Sequence, residues 1–285
     1  MQIFSMVYCW AGGRPQSARN MKEASMIQKE KKGILIVSFG TSIEETRKKT
    51  IDAFETIVKK AYPDWEVRRA FTSEMIIKIL KKRDGICIDT IQEALDRFRE
   101  EGFTHLLIQP THIINGVENN RMLHLLRRNR DSFVSMRIGA PLLTSPEDME
   151  EVIAGIMEDY RALPSDTGVL CLGHGTDHYS NFTYPAFEYT ARRMGYSRLF
   201  IGTVEGYPDI ETVISHVLQS GCKKMILLPL LFVAGDHARN DMAGEEPDSW
   251  KSRLNASGIQ TTCVLKGLGE YPAIQHLFLK HMERA

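Results

Sequence analysis

Three side chains of types that bind divalent metal ions occur at regular intervals in the second half of this sequence. His174, Glu205 and His237 each follow a short apolar segment, and one strand and one helix of sequence separate each from the next. Two imidazoles and one carboxylate form a borderline ligand set that suits Co²⁺, Fe²⁺, Ni²⁺ or Zn²⁺. The sequence therefore predicts an open metal site, provided that the three segments are neighbouring strands.

Each of these residues also has an ordinary structural interpretation. His174 lies between glycines and could be a hydrogen-bonding loop residue, Glu205 could be a solvated turn acid, and His237 could neighbour a helix cap. The joint pattern strengthens the metal-site hypothesis without excluding the ordinary one, because all three residues fall at equivalent points of consecutive strand–helix units.

No familiar nucleotide-binding motif is complete in this chain. The sequence contains no G-x-x-x-x-G-K-[ST], and the glycine-rich turn that starts at Gly173 does not complete G-x-G-x-x-G. The G-x-S-x-G motif of α/β-hydrolases is also missing. These absences disfavour ATP, NAD(P) and a serine nucleophile, and we expect no nucleotide cofactor.

The elements that must position the three residues alternate along the chain. Apolar segments of the buried-strand type, such as GILIVSFG (33–40) and KMILLPLL (224–231), alternate with amphipathic segments of helical period. This alternation predicts an α/β fold whose parallel sheets are covered by helices on both faces. Residues that follow the carboxyl ends of such strands share one edge of the sheet, where open α/β folds bind ligands.

The two halves of the chain resemble each other. ILIVSFGTS (34–42) aligns with VLCLGHGTD (169–177), which suggests an ancient duplication, although any two α/β halves can share such punctuation. On the duplication hypothesis, residues 33–145 form an N-terminal α/β domain. Residues 146–285 form a C-terminal α/β domain that carries the metal site, and the two domains face each other across a cleft.

The same internal alignment singles out one acidic residue of the first half. Gly116 and Gly235 each lie six residues after a proline, and Glu118 and His237 each lie two residues after those glycines. We therefore expect Glu118 to face the cleft from the wall opposite His237.

Composition excludes several classes of protein. The 36 Lys and Arg residues balance the 36 Asp and Glu residues, so no global field attracts nucleic acid or an anionic membrane. Five cysteines without a C-x-x-C pair favour reduced thiols in a cytoplasmic protein. No segment approaches the ~18 apolar residues of a membrane-spanning helix. Residues 1–32 lack the basic start and cleavage site of a signal peptide and are interpreted as a flexible leader.

Five segments closely resemble the anaerobic cobalt chelatases of the CbiK type, which insert Co²⁺ into sirohydrochlorin during cobalamin synthesis. These segments are VSFGTS, QPTHIINGVE, GHGTDH, GTVEGYPD and LLPLLFVAGDHARNDM. The resemblance extends from about residue 33 to the C-terminus. It implies the chelatase-like fold, in which two similar Rossmann-like domains with parallel sheets flank a central cleft that holds the tetrapyrrole.

The resemblance also implies roles for individual residues. It makes His174, Glu205 and His237 the metal-contacting residues, His174 the base that takes pyrrole protons, and Glu118 a helper in the cleft. It implies Co²⁺ as the substrate metal and sirohydrochlorin as the substrate, with no nucleotide. One departure is Phe39, which stands in the first half where the second half has His174.

Some choices stay open at the level of sequence. A His/Glu/His set does not encode cobalt uniquely, so a chelatase for Fe²⁺ or Ni²⁺, or a non-catalytic tetrapyrrole or metal carrier, is an alternative. A homo-oligomer is also an open possibility. The carboxylates of sirohydrochlorin would be bound by cations, for which the candidates are Arg121, Arg127, Arg128 and Arg239.

Overall fold

The computed structural model describes residues 30–285. Of the predicted leader, residues 1–29 lie outside this range, and Lys32 already begins the first strand. No helix within residues 30–285 combines the length and the apolar character needed to cross a bilayer.

The first half contains a four-stranded parallel sheet with helices on its faces. In chain order its elements are β1 (Lys32–Ser38), α1 (Glu44–Arg47), a π-helical turn (Lys48–Asp52), α2 (Ala53–Ala61), β2 (Glu66–Phe71), α3 (Glu74–Asp84), α4 (Ile91–Glu100), β3 (His105–Pro110), α5 (Val117–Asn129) and β4 (Ser135–Ile138). The strand order is β2-β1-β3-β4, so the apolar strand β1 lies inside the sheet.

The second half repeats this architecture. Its elements are α6 (Pro146–Met157), β5 (Thr167–Gly173), α7 (Thr183–Arg193), β6 (Leu199–Thr203), α8 (Ile210–Ser220), β7 (Lys224–Pro229), a π-helical turn (Ala238–Met242), α9 (Trp250–Ala256), β8 (Gln260–Cys263) and α10 (Pro272–Arg284). The strand order is β6-β5-β7-β8. Strands β5 to β8 therefore take the same places in the second sheet that β1 to β4 take in the first. The predicted α/β class with two similar parallel sheets is confirmed, whereas the boundary at 145/146 stays a prediction.

Local sequence explains where many of the helices begin and end. Thr90 caps α4 and exchanges hydrogen bonds with Glu93, and Ser145 does the same for α6 with Asp148. Both are capping boxes, which satisfy backbone N–H groups that have no partner inside the helix. Helix α8 ends at Gly221, whose φ of +78° lies in the left-handed region that favours glycine.

A shared apolar core joins the two halves. Phe54 of α2, Phe232 after β7 and Phe278 of α10 are buried, and their ring centroids are separated by 5.5 to 6.1 Å. Helix α10 also contacts β3 of the first sheet. The last helix of the chain therefore covers the sheet formed by the first half, which sequence alone did not predict.

A buried polar pair reinforces this connection. His281 of α10 lies 3.0 Å through Nε2 from Asp148 Oδ1 and 3.2 Å through Nδ1 from the Ala140 carbonyl oxygen. The other oxygen of Asp148 accepts hydrogen bonds from the backbone N–H groups of Thr144 and Ser145. Asp148 thus ties the segment between the two sheets to the C-terminal helix.

We expect Asp148→Ala to lower the free energy of unfolding by about 3–5 kcal/mol, because breaking a buried pair leaves its partner without compensation. The matched control is Glu147→Ala, one residue earlier on the exposed surface of the same turn, which should change stability by less than about 0.5 kcal/mol. Urea denaturation of both variants measures the difference. Equal stability of the two variants would show that the pair contributes nothing.

Candidate metal centre

His174 directly follows β5, the strand between β6 and β7. Every residue of β5 is buried, so the loop that leaves it starts from a fixed point. The backbone N–H of Glu205 donates to the His174 carbonyl oxygen at 2.7 Å. The loops after β5 and β6 are therefore joined at the sheet edge, as the strand-end argument predicted.

Glycine at position 175 allows these two loops to approach each other. Gly175 has φ of +82°, and a Cβ there would lie 2.6 Å from the Gly206 backbone nitrogen. Its N–H also donates to the Tyr184 hydroxyl at 3.4 Å. Burial raises the pKa of Tyr184 to about 12, so this hydroxyl stays protonated. Any larger residue at position 175 would push the His174 and Glu205 loops apart.

The two histidines predicted to bind metal lie in contact. The ring centroids of His174 and His237 are 4.6 Å apart and their planes are nearly perpendicular, at 86°. His237 reaches this position from the segment between β7 and the π-helical turn. Since β5 pairs with β7, two neighbouring strands deliver both imidazoles to one place.

The third predicted residue, Glu205, lies beside His174. Its Oε2 is 3.8 Å from His174 Nδ1, and the Gly175 carbonyl oxygen is 3.0 Å from the same nitrogen. A carbonyl oxygen can only accept, so Nδ1 carries the hydrogen and Nε2 keeps its lone pair. In this arrangement Glu205 lies at the nitrogen that does not offer a lone pair.

His237 has its own carboxylate partner, which the sequence reasoning missed. His237 Nδ1 lies 2.6 Å from Asp241 Oδ2, four residues further along the chain. The available signal was this spacing, because residues four apart lie on the same face of a helical turn. The predicted set of ligands therefore lacked a residue that contacts one of its histidines.

Within residues 30–285, no three His, Cys, Asp or Glu side chains already converge so that they could hold a metal ion. The structure instead contains two imidazoles in contact, His174 and His237, each with a carboxylate beside it. Glu205 is 61% exposed, so packing does not block a rotation that would bring its carboxylate towards a metal. The thiol of Cys171 in β5 is buried in the apolar core, which raises its pKa to about 12 and disfavours a thiolate ligand.

Glu118 is placed differently from the other three predicted residues. It lies in the first turn of α5 and forms a 2.8 Å ion pair with Arg121. Within the described residues, no hydrogen bond or ion pair joins Glu118 to His174, Glu205 or His237. Its predicted role as a helper therefore stays a prediction.

Helix α5 nevertheless lies against the loop that follows His174. Asn120 of α5 is 3.2 Å from His178 Nε2, and a Cβ at Gly116 would lie 3.4 Å from the Ser180 hydroxyl. His178, four residues after His174, thus contacts the first half of the chain. Near the start of the same helix, burial lowers the pKa of His112, so that ring stays neutral.

The first half offers an aromatic ring where the second half offers His174. Phe39 directly follows β1 and is 45% exposed. Thr41, two residues later, lies beside Gly235, with 3.7 Å between its hydroxyl and a Cβ built at the glycine. The loop after β1 therefore lies next to the segment that carries His237.

Comparison with known proteins agrees with this architecture. A family model described as cobalt chelatase (CbiK) matches residues 32–285. The chain is 40% identical over 257 residues to the sirohydrochlorin cobaltochelatase of Salmonella typhimurium. That alignment covers 90% of this chain and 96% of the Salmonella protein. The chain is also 35% identical over 277 residues to the sirohydrochlorin cobaltochelatase CbiKC of Nitratidesulfovibrio vulgaris. This second alignment covers 94% of this chain and 95% of the relative.

The fold is similar to that of a solved chelatase. The sirohydrochlorin chelatase SirB from Bacillus subtilis subspecies spizizenii, solved in complex with cobalt, aligns with a TM-score of 0.59 and 16% identity. The alignment covers 89% of this chain and 94% of that one. At this identity the likeness concerns the fold, and it confirms the predicted chelatase-like architecture.

Gly175→Ala should destabilise the protein more than Gly195→Ala. Both glycines have left-handed φ angles, +82° and +91°, but a Cβ at Gly195 would meet nothing within 4 Å. Gly195→Ala should therefore cost about 1–2 kcal/mol for the backbone conformation alone, whereas Gly175→Ala adds the collision with Gly206. Urea denaturation of both variants separates the two effects, and equal losses would contradict the close approach of the loops.

Proposed function

Because this chain belongs to the cobalt chelatase (CbiK) family, we propose that it is a sirohydrochlorin cobaltochelatase. It inserts Co²⁺ into sirohydrochlorin without ATP, in the route of cobalamin synthesis that inserts cobalt early. The observation that carries the proposal is the contact between His174 and His237 at the ends of two neighbouring strands. Two imidazoles that share one place suit a divalent first-row metal ion.

The proposed site must hold Co²⁺ firmly enough to remove part of its water and loosely enough to release it. His174 and His237 supply nitrogen ligands, and Glu205 supplies an oxygen ligand once its exposed side chain rotates towards the ion. Such a set leaves positions for water and for the pyrrole nitrogens, whereas a closed thiolate site retains its metal.

Metallation also releases two pyrrole protons for each metal ion inserted. Imidazole exchanges protons near neutral pH, but a metal ion and a proton compete for the same nitrogen. His174 therefore acts in sequence: its Nε2 first holds Co²⁺, and the same lone pair accepts one pyrrole proton as the ion moves to the macrocycle. The second pyrrole proton passes to solvent water. The carboxylate of Glu205, 3.8 Å from His174 Nδ1, balances the positive charge as the protons leave.

The acidic groups of sirohydrochlorin need cationic partners. Arg121 is engaged by Glu118, so it serves this purpose only if that pair opens. Arg239 is exposed, lies two residues after His237, and forms no ion pair among the residues that the structure describes. It is therefore the arginine of the four candidates that best fits a role beside the metal site.

The proposed cytoplasmic location rests on the cysteines. Cys87, Cys171, Cys222 and Cys263 are all free. Unpaired thiols are the usual condition in a reducing compartment.

His174→Ala and His237→Ala should each lower the rate of cobalt insertion more than about 100-fold, since the loss of even an outer partner of a ligand costs ~10–100-fold. His124→Ala is the matched control, because His124 is exposed on α5 and should keep the wild-type rate. The assay mixes the purified protein anaerobically with sirohydrochlorin and Co²⁺, without ATP, and follows the absorbance of the pigment.

Each other outcome of this assay has a definite meaning. Wild-type rates in both His174→Ala and His237→Ala would show that the metal site is wrongly assigned. Binding of sirohydrochlorin without faster metallation would identify a carrier. Preference for Fe²⁺ or Ni²⁺ in direct competition would replace cobalt as the substrate metal.

A further inference from the structure

The shortest polar contact of the candidate site involves a residue outside the predicted ligand set. Asp241 Oδ2 lies 2.6 Å from His237 Nδ1. Both residues belong to one turn, since His237 has helical backbone angles and immediately precedes the π-helical turn that contains Asp241. Turns of this kind occur frequently at functional sites.

This contact determines which nitrogen of His237 is available. An ionised carboxylate can only accept, so the hydrogen lies on Nδ1 and the lone pair on Nε2. A carboxylate that holds the far nitrogen of a metal-ligating histidine fixes both the tautomer and the orientation of the ring. Removal of the Asp241 carboxylate would therefore free both the tautomer and the orientation of the His237 ring from this constraint.

His174 reaches the same state by a different route. Its Nδ1 lies 3.0 Å from the Gly175 carbonyl oxygen, which also can only accept. Both rings therefore keep the lone pair on Nε2, although one is held by a backbone carbonyl and the other by a side chain. Only the second arrangement can be removed by substitution without changing the histidine itself.

We propose that Asp241 is a positioning residue, which holds His237 so that its Nε2 binds Co²⁺ together with Nε2 of His174. This inference rests on the proposed metal site and adds to it a residue that acts through His237. The neighbouring acid Asp236 is not equivalent, because it accepts a 2.8 Å hydrogen bond from the Asn240 side chain.

The test measures Co²⁺ binding to the full chain under anaerobic conditions, without tetrapyrrole. Asp241→Ala should weaken Co²⁺ binding ~10–100-fold, the usual effect of removing such a partner. Asp248→Ala removes an exposed acid from the same half and should bind Co²⁺ like the wild type. Asp241 is itself 42% exposed, so both variants should fold, which circular dichroism checks.

Steady-state kinetics give the second measurement. Asp241→Ala should raise KM for Co²⁺ and leave KM for sirohydrochlorin unchanged, a split that general loosening of the fold would not produce. Wild-type affinity for Co²⁺, or an equal rise of both KM values, would overturn the proposal.

A double substitution distinguishes positioning from direct ligation. In a His237→Ala background, Asp241→Ala should cause no further loss of Co²⁺ affinity, because a residue that acts through His237 has nothing left to act on. A further loss of tenfold or more would make Asp241 a ligand and overturn its positioning role. Co²⁺ binding without any turnover would refute the proposed function but not the role of Asp241.

Discussion

The burial of β5 on both faces is the constraint on which the candidate site depends. Val169 and Cys171 face one apolar cluster, and Leu170 and Leu172 face the other. With apolar residues on both faces, β5 needs cover above and below the sheet, and it lies inside the sheet between β6 and β7. The loops that leave these three strands therefore begin side by side, and the imidazoles that they carry meet without any long excursion of the chain.

The relation between the halves depends on a different set of contacts. Phe54, Phe232 and Phe278 bring together a helix of the first half, a loop of the second half and the C-terminal helix. Because α10 contacts β3, the sheet of the first half packs against a helix from the end of the chain. The loop after β1 lies next to the segment that carries His237, so the first half also borders the candidate site.

Much of this architecture could be predicted from sequence because it follows from period and position. Alternating strands and helices fix the class, and polar residues after strands must share an edge. The contact of His174 with His237 and the position of Glu205 beside His174 were therefore accessible. The spacing of four residues between His237 and Asp241 allows their contact, but whether the two side chains rotate to form it does not follow from sequence. Nor does the course of α10, since an amphipathic helix does not reveal which of two sheets it covers.

The two similar sheets differ at one position that bears on the proposed flat substrate. The ends of β1 and β5 are topologically equivalent, yet one presents Phe39 and the other His174. A hydrocarbon ring cannot coordinate an ion, so the shared strand order of the two sheets does not extend to the chemistry of their loops. A planar ring lodged between these loops would meet an imidazole from one loop and a phenyl ring from the other, which makes the two sides of such a molecule inequivalent to the protein.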